Sequence, residues 1–156
     1  MAGQRGGLTS IGALRAASPV SATWGVTPPR YTSDMLLVVL NVGGEGEVPG
    51  AINLNNLVSP LRPMSRIVAA GLLVVGDFAR MPIRDQAVDE VVGSRLPLIH
   101  EVGRLLAHET YRVLRPGGQA RLVASTGGGP ILLPHLAAAG FKGVRLADGW
   151  AIGKKG

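Results

Sequence analysis

Glycine, amide and carboxylate residues follow the first two apolar segments of the chain, where they can hold a small polar ligand. Gly43 and Gly44 come directly after the first segment, and glycines there let backbone N–H groups approach a ligand closely. Glu45 adds a negative charge to the same turn. Asn55 ends the second segment, where its amide can hydrogen-bond a hydroxyl group. An ordinary turn accounts for the glycines equally well.

The next two apolar segments are also followed by residues that could do chemistry. Asp77 and Phe78 follow the third, and they can offer a carboxylate to an amine and an apolar ring to its face. Asp77 can equally cap a turn, and Phe78 can equally belong to the core. Ser94 and Arg95 follow the fourth segment, nearest to where a substrate would react. His100 comes five residues later and is a candidate for acid–base work or a surface residue.

Short predicted strands and helices must position these residues. A run that is apolar on both faces, as in residues 35–42, is typical of a buried parallel strand, whereas a period of 3.6 residues indicates a helix. We predict strands at 35–42, 51–55, the second half of 67–77, 87–94 and 119–125. We predict helices at 98–114 and 130–139, ended by Pro116-Gly117-Gly118 and by Gly140, and a terminal hairpin of 144–146 with 150–152.

Strands that alternate with crossover segments predict an α/β fold, with a mostly parallel sheet flanked by helices and antiparallel terminal strands. In such sheets ligands bind beyond the carboxyl ends of the strands. The residues singled out above should therefore meet at one edge of the sheet.

Four segments resemble motifs of class I S-adenosylmethionine-dependent methyltransferases, a Rossmann-like family. The run from Gly76 to Val92 is similar to the family's third and fourth motifs, and Arg112-Val113-Leu114-Arg115-Pro116-Gly117-Gly118 is similar to its helix-ending motif. Ala139-Gly140-Phe141 matches the segment before its last strands. Leu40 to Leu54 resembles a subgroup in which the first helix is nearly absent.

The resemblance implies S-adenosylmethionine as cofactor. It implies that the cofactor is bound by the residues after the strands, namely Gly43, Gly44, Glu45, Asn55, Asp77, Phe78 and Ser94. The acceptor would then face Ser94, Arg95 and His100. The chain departs from the family at Glu45, where a second glycine is usual, and at Asn55, where an acidic residue usually clasps two ribose hydroxyls.

Composition and net charge narrow the class of protein further. The 156 residues favour one core, with residues 1–33 as a flexible leader or linker and residues 34–156 as the folded domain. No cysteine is present and His100, His108 and His135 lack metal-site spacing, so we expect no metal and a cytoplasmic location. No apolar run is long enough for a membrane. The net charge of +6 favours a general attraction to polyanions such as nucleic acid, without a binding motif.

Three functional hypotheses follow. The first is a methyltransferase acting on an unidentified acceptor. The second is a catalytically inactive, methyltransferase-like domain that binds a protein partner, which the departures at Glu45 and Asn55 favour. The third, compatible with either, is that the chain is a module of a larger protein joined through residues 1–33. A dinucleotide-binding oxidoreductase is not favoured, because no G-x-G-x-x-G follows the first strand.

Overall fold

Seven strands and two helices make up the regular structure of the described residues. The structure is a computed structural model, and it describes residues 37–44, 47–56, 72–96 and 100–156. The strands are β1 (Val39–Val42), β2 (Ile52–Asn55), β3 (Leu73–Val75), β4 (Val88–Leu96), β5 (Leu114–Ala124), β6 (Lys142–Ala147) and β7 (Trp150–Lys154). The helices are α1 (His100–Val113) and α2 (Leu133–Ala138), and a 3-10 turn at Pro130–Leu132 precedes α2. The leader predicted at residues 1–33 lies outside the described residues.

The strands form one sheet in the order β3-β2-β1-β4-β5-β7-β6. Strands β1 to β5 are parallel to their neighbours, and β7 is antiparallel to both β5 and β6. The chain moves outward from β1 to β3 and then returns to place β4 on the other side of β1, so the strand order reverses between β1 and β4. The α/β fold with a mostly parallel sheet and an antiparallel terminal hairpin is thereby confirmed.

One face of the sheet packs against both helices. The residues that point to this face alternate along each strand, as period-two strands require, and include Leu40, Val91 and Leu122. Leu106 of α1 and Leu136 of α2 are fully buried against them. The helical stripe predicted for residues 98–114 thus supplies the core, although Val102 and Leu105 are only half-buried.

The fourth strand is longer than the sequence indicates. It was predicted to end at Ser94, with Ser94 and Arg95 at or beyond its end; in the structure both residues lie within β4, which continues to Leu96. The extension arises because Leu96 pairs with Ala124 of β5 and its carbonyl accepts the N–H of Ser125 at 3.0 Å. A neighbouring strand therefore supplies hydrogen bonds that β4's own sequence does not indicate.

The fifth strand begins five residues earlier than predicted, directly after α1 ends at Val113. Pro116-Gly117-Gly118 therefore lies inside β5 and not in a helix-ending turn. The register shifts from Val88 opposite Leu114 to Glu90 opposite Gln119, so the extra residues bulge out of the ladder. Gly117 has φ of 80°, and its N–H bonds the carbonyl of Lys155 at 2.9 Å. Hydrogen bonds to the C-terminal segment thus keep this bulged stretch within the strand.

The C-terminal part matches its prediction closely. Residues 130–139 form the 3-10 turn and α2, and Gly140 follows with φ of 99°, the conformation expected of a glycine that ends a helix. Strands β6 and β7 form the expected hairpin. The Lys155 ammonium is almost fully buried and donates to the carbonyls of Tyr111 and Leu114 at 2.7 and 2.8 Å, so it satisfies the carboxyl end of α1. Neither described helix is long and apolar enough to cross a bilayer.

Candidate active site

The carboxyl ends of β1, β2 and β3 meet through hydrogen bonds at one edge of the sheet. Asn55, at the end of β2, donates its Nδ2 to the carbonyl of Gly44 after β1 at 3.4 Å. The backbone carbonyl of Asn55 accepts the N–H of Gly76, after β3, at 3.1 Å. The N–H of Gly43 bonds the carbonyl of Leu54 at 2.8 Å. The structure thus brings Gly43, Gly44 and Asn55 together, with Asp77 one residue beyond Gly76.

The turn after β1 is built closely around a buried amide. Gly43 has φ of 71°, a left-handed conformation that glycine adopts without strain. A Cβ on Gly44 would lie 1.9 Å from Nδ2 of Asn41, so only glycine fits there. Both glycines are therefore required by the local backbone. Glu45, predicted in the same turn, lies outside the described residues.

Two buried asparagines support this turn from inside the sheet. Asn41 of β1 and Asn53 of β2 are both fully buried, and Nδ2 of Asn41 donates to Oδ1 of Asn53 at 3.1 Å. Burial of amides is unfavourable unless they are hydrogen-bonded. Oδ1 of Asn41 nevertheless has no hydrogen-bond partner within the described part of the chain. A buried acceptor without a partner among the described residues thus belongs to β1, two residues before the glycine turn.

A glutamate bridges β1 and β4 across the position where the strand order reverses. Oε2 of Glu47 accepts from Nδ2 of Asn41 at 3.4 Å, and Oε1 accepts from the hydroxyl of Ser94 at 3.4 Å. Glu47 itself is exposed. Sequence reasoning missed Asn41, Asn53 and Glu47 as site residues. A polar residue at the end of an otherwise apolar strand was the available signal for the two asparagines.

Asp77 and Phe78 occupy the turn after β3. Oδ1 of Asp77 accepts the N–H of Ala79 at 2.8 Å, and its carbonyl accepts the N–H of Arg80 at 3.1 Å. Asp77 therefore caps its own turn, as the alternative interpretation held, while its side chain stays exposed at the carboxyl edge. Phe78 is half-buried and packs against the main core. Both residues therefore have a structural role, and ligand binding by either stays a prediction.

Of the three residues predicted to face the acceptor substrate, only Ser94 has a described side chain. Ser94 lies within β4 and contacts Glu47, so it faces the same crevice as the glycine turn. Arg95 also lies in β4 and His100 begins α1, but the side chains of both are outside the described part. Among the described residues no cluster of three His, Asp or Glu side chains is arranged to hold a metal ion.

A separate cleft lies between the segment after β3 and the last turn of α1. It has a volume of about 430 Å³ and is lined by Arg80, Met81, Pro82, Ile83, Arg84, Glu109 and Arg112. The Arg112 guanidinium forms part of the cleft wall. It donates hydrogen bonds to both carboxylate oxygens of Glu109 and to the carbonyls of Met81 and Ile83. These contacts join the last turn of α1 to the segment that enters β4. None of the strand-end residues Gly43, Asn55 and Asp77 lines this cleft, so it is separate from the candidate site.

The fold is shared with several solved structures. A TehB-like S-adenosylmethionine-dependent methyltransferase from Corynebacterium glutamicum aligns over 77% of this chain and 80% of its own, with 16% identity and a TM-score of 0.57. PigF, solved with SAH, aligns over 76% of this chain with 16% identity and a TM-score of 0.56. The [4+2]-cyclase SpnF aligns over 67% with 20% identity and a TM-score of 0.52. The chain spans half the length of PigF and of SpnF.

These likenesses show that the chain has the fold of class I S-adenosylmethionine-dependent methyltransferases, which confirms the resemblance stated from its motifs. The sequence matches no protein-family profile and no curated protein. Identities of 20% and below establish the fold and leave the reaction to be argued from the site, because SpnF has this fold and is a cyclase.

Proposed function

We propose that the chain is an S-adenosylmethionine-dependent methyltransferase whose cofactor lies across the carboxyl ends of β3, β2, β1 and β4. The observation that carries this proposal is the bond from Asn55 to the Gly44 carbonyl, together with the bond from Gly76 to the Asn55 carbonyl. Three strand ends thereby line one crevice, beside the point where the strand order reverses. This is where ligands of open α/β sheets bind.

The residues present fit the cofactor, with a changed set of polar groups. Gly43 is exposed and has a positive φ, so its backbone could approach a ligand in the crevice. The single amide oxygen of Asn55 can accept from one ribose hydroxyl, whereas a carboxylate can accept from two. Asp77 and Phe78 would bind the adenine. The Ala79 N–H donates to Oδ1 of Asp77, and the other carboxylate oxygen would accept from the adenine amine.

When bound, the cofactor supplies an electrophilic methyl group, and the protein's task is alignment of the acceptor. Ser94, whose hydroxyl donates to Glu47, would lie on the acceptor side of the crevice. Arg95 and His100 follow it in the chain and remain the candidates for acceptor contact. The acceptor itself, a protein partner, nucleic acid binding and a cytoplasmic location stay predictions.

Cofactor binding can be tested by isothermal titration calorimetry with S-adenosylmethionine and S-adenosylhomocysteine. We expect saturable binding that Asn55→Ala weakens by about tenfold, because one charge-free hydrogen bond is worth roughly 1 kcal/mol and the turn at Gly44 loses its contact. Gln119→Ala is the matched control, an amide of the same sheet in the middle of β5, opposite Glu90 of β4. Absence of heat and of any thermal shift at millimolar ligand would exclude the proposal.

The second candidate is a methyltransferase-like domain without catalysis. The amide in place of a carboxylate at Asn55 and the filled space beneath Gly44 favour it, since both reduce what the crevice offers a cofactor. The same titration separates the two functions. A folded chain that ignores both cofactor forms would support the binding domain.

A further inference from the structure

Two lysines lie directly opposite each other at the outer edge of the sheet. Lys142 of β6 is paired with Lys154 of β7, and both residues are exposed. Like charges at directly opposite positions of an antiparallel pair destabilise that pair. In the described part of the chain no acidic side chain forms an ion pair with either lysine. The placement therefore reduces stability unless an anion lies between the two ammonium groups.

A bulge in β6 adds an arginine to the same face. Three positions separate Lys142 from Arg145, so their side chains would point to opposite faces of a regular strand. Arg145 is paired with Ile152, which is only two positions from Lys154, so β6 has one extra residue in this stretch. The extra residue places the exposed Arg145 on the face of the two lysines. Lys142, Arg145 and Lys154 are together called the outer basic patch.

An aromatic ring borders the outer basic patch. Ala151 of β7 belongs to the buried core, so its neighbours Trp150 and Ile152 point to the other face, which carries the patch. Trp150 is only partly buried. The guanidinium of Arg121 lies 5.4 Å from the centroid of its ring and is paired with Glu90 at 3.6 Å. The face thus presents three cations without ion pairs beside a partly exposed indole.

This combination of groups matches the chemistry of a single nucleic-acid strand. Lysine and arginine side chains attract backbone phosphates, and an aromatic ring stacks on a base whose face is free. The bases of a duplex are stacked on one another, so a single strand offers both groups to one surface more readily. Asp148, the acidic residue nearest to the patch along the chain, lies in the β6–β7 turn, about 10 Å beyond Arg145 along the strand.

We propose that the outer basic patch and Trp150 form a binding surface for single-stranded nucleic acid. The three cations bind backbone phosphates, and a base stacks on the exposed part of the Trp150 ring. A bound phosphate also offsets the repulsion between Lys142 and Lys154. The surface is built from residues of β6 and β7 and shares none with the cofactor crevice, so it does not depend on the proposed methyl transfer.

The test measures binding of the full chain to a fluorescent oligouridylate of about 12 nucleotides by anisotropy. The variant Lys142→Gln/Lys154→Gln removes two charges from the outer basic patch. Arg80→Gln/Arg84→Gln is the matched control, because it removes the same charge at another place. Both arginines are exposed, lie in the segment after β3 and form no ion pair with any described residue.

We expect the lysine variant to raise the Kd about tenfold at about 150 mM salt. It should also reduce the slope of log Kd against log salt by about 1.4, the loss of two phosphate contacts at about 0.7 each. The arginine control should change the Kd by less than about twofold. Equal weakening by both variants would mean that net charge alone attracts the strand, and it would overturn the proposal, as would an unchanged Kd for the lysine variant.

A second comparison tests the base contact. Trp150→Leu should raise the Kd for oligouridylate about tenfold through lost stacking, whereas Trp150→Tyr keeps an aromatic ring and should stay within about threefold. Neither should change binding of inorganic polyphosphate, which has no bases. Equal losses for Trp150→Leu and Trp150→Tyr would contradict stacking. Tighter binding to a duplex RNA or to phosphatidylserine vesicles than to oligouridylate would overturn the assignment of a single strand.

Thermal unfolding tests the repulsion between the two lysines. Lys142→Gln should raise the melting temperature in the absence of nucleic acid, because it removes one of two like charges. Saturating oligouridylate should raise the melting temperature of the unsubstituted chain more than that of Lys142→Gln. A lower melting temperature for Lys142→Gln would contradict the repulsion on which the inference rests. Cofactor titration of the same variant should match that of the unsubstituted chain, which separates this surface from the proposed function.

Discussion

Asn41 and Asn53 lie directly opposite each other in β1 and β2, and Nδ2 of Asn41 donates to Oδ1 of Asn53 in the buried interior. The same Nδ2 also donates to Glu47. A donor at this position therefore links the sheet interior to the crevice. The Nδ2 donor of Asn41 therefore requires hydrogen-bond acceptors beside the turn after β1, here the side-chain oxygens of Asn53 and Glu47.

Replacing Asn41 with Asp should destabilise the protein, because a carboxylate would face the oxygens of Asn53 and Glu47 in place of a donor. We expect a loss of about 3 kcal/mol in the free energy of unfolding at pH 7. Burial and the neighbouring acid would raise the pKa of the new carboxyl, so the loss should shrink as the pH falls and the group becomes a donor. Urea denaturation between pH 4 and 7 measures this. Asn41→Leu is the control, because leucine cannot titrate and its loss in the free energy of unfolding should not depend on pH through this position.

Gly44→Ala should disturb the turn after β1, since the added Cβ would meet Asn41 at 1.9 Å. We expect a loss of about 1–3 kcal/mol in stability, the usual range for overpacking, and weaker binding of S-adenosylhomocysteine. Gly156→Ala is the control, because the same Cβ there makes only ordinary contacts with Lys142. Thermal unfolding and calorimetry are the measurements. Equal melting temperatures for Gly44→Ala and the unsubstituted chain would contradict the packing described for this turn.

Glu109 and Arg112 should make the fold sensitive to acid. The hydrogen bond from Arg112 lowers the pKa of the Glu109 carboxyl, burial opposes this, and the Met81 N–H lowers it further. A lowered pKa in the folded state contributes stability above the ordinary value of 4.5, and that stability is lost as pH falls through the folded value. Glu109→Gln should therefore cost about 1.5–3 kcal/mol at pH 7 and much less in acid.

The same helix provides the control for this prediction. Glu101 and Arg104 form an equivalent pair three residues apart at 2.9 Å, with side chains that are 71% and 52% exposed. Exposed pairs contribute about 0–1 kcal/mol, so Glu101→Gln should have little effect at any pH. Denaturant titrations at several pH values compare the two. Matching losses for both variants would show that the Arg112 contacts do not stabilise the fold.

Glu90 should have the opposite pH dependence. Burial raises the pKa of its carboxyl, and the charge and hydrogen bond of Arg121, 3.6 Å away, partly oppose the rise. A raised acid pKa means that the folded state holds its proton longer, so stability falls as pH rises from the ordinary value through the folded one. Glu90→Gln should remove this decline, and Arg121 would keep its contact with the Trp150 ring. Denaturant titrations across this pH range measure it. A decline that persists in Glu90→Gln would assign it to another group.

Local residue patterns predicted the class of fold and most of the order of strands and helices along the chain. The apolar run of residues 35–42 predicted a buried strand, and β1 lies within it at Val39–Val42. The period of residues 98–114 predicted α1. Gly140 predicted the end of α2, and the terminal hairpin was expected. These signals are local, because backbone conformation and alternation of apolar residues are set within a few positions.

The contacts between residues and the lengths of the strands depend on long-range pairing in the folded protein. Pairing with β5 extends β4 through Ser94 and Arg95, and pairing with the C-terminal segment turns Pro116-Gly117-Gly118 into part of β5. Glu47 reaches Asn41 and Ser94, and the latter is 47 residues distant in the chain. Hydrogen bonds between strands depend on partners far away along the chain, so no local pattern of residues could indicate them.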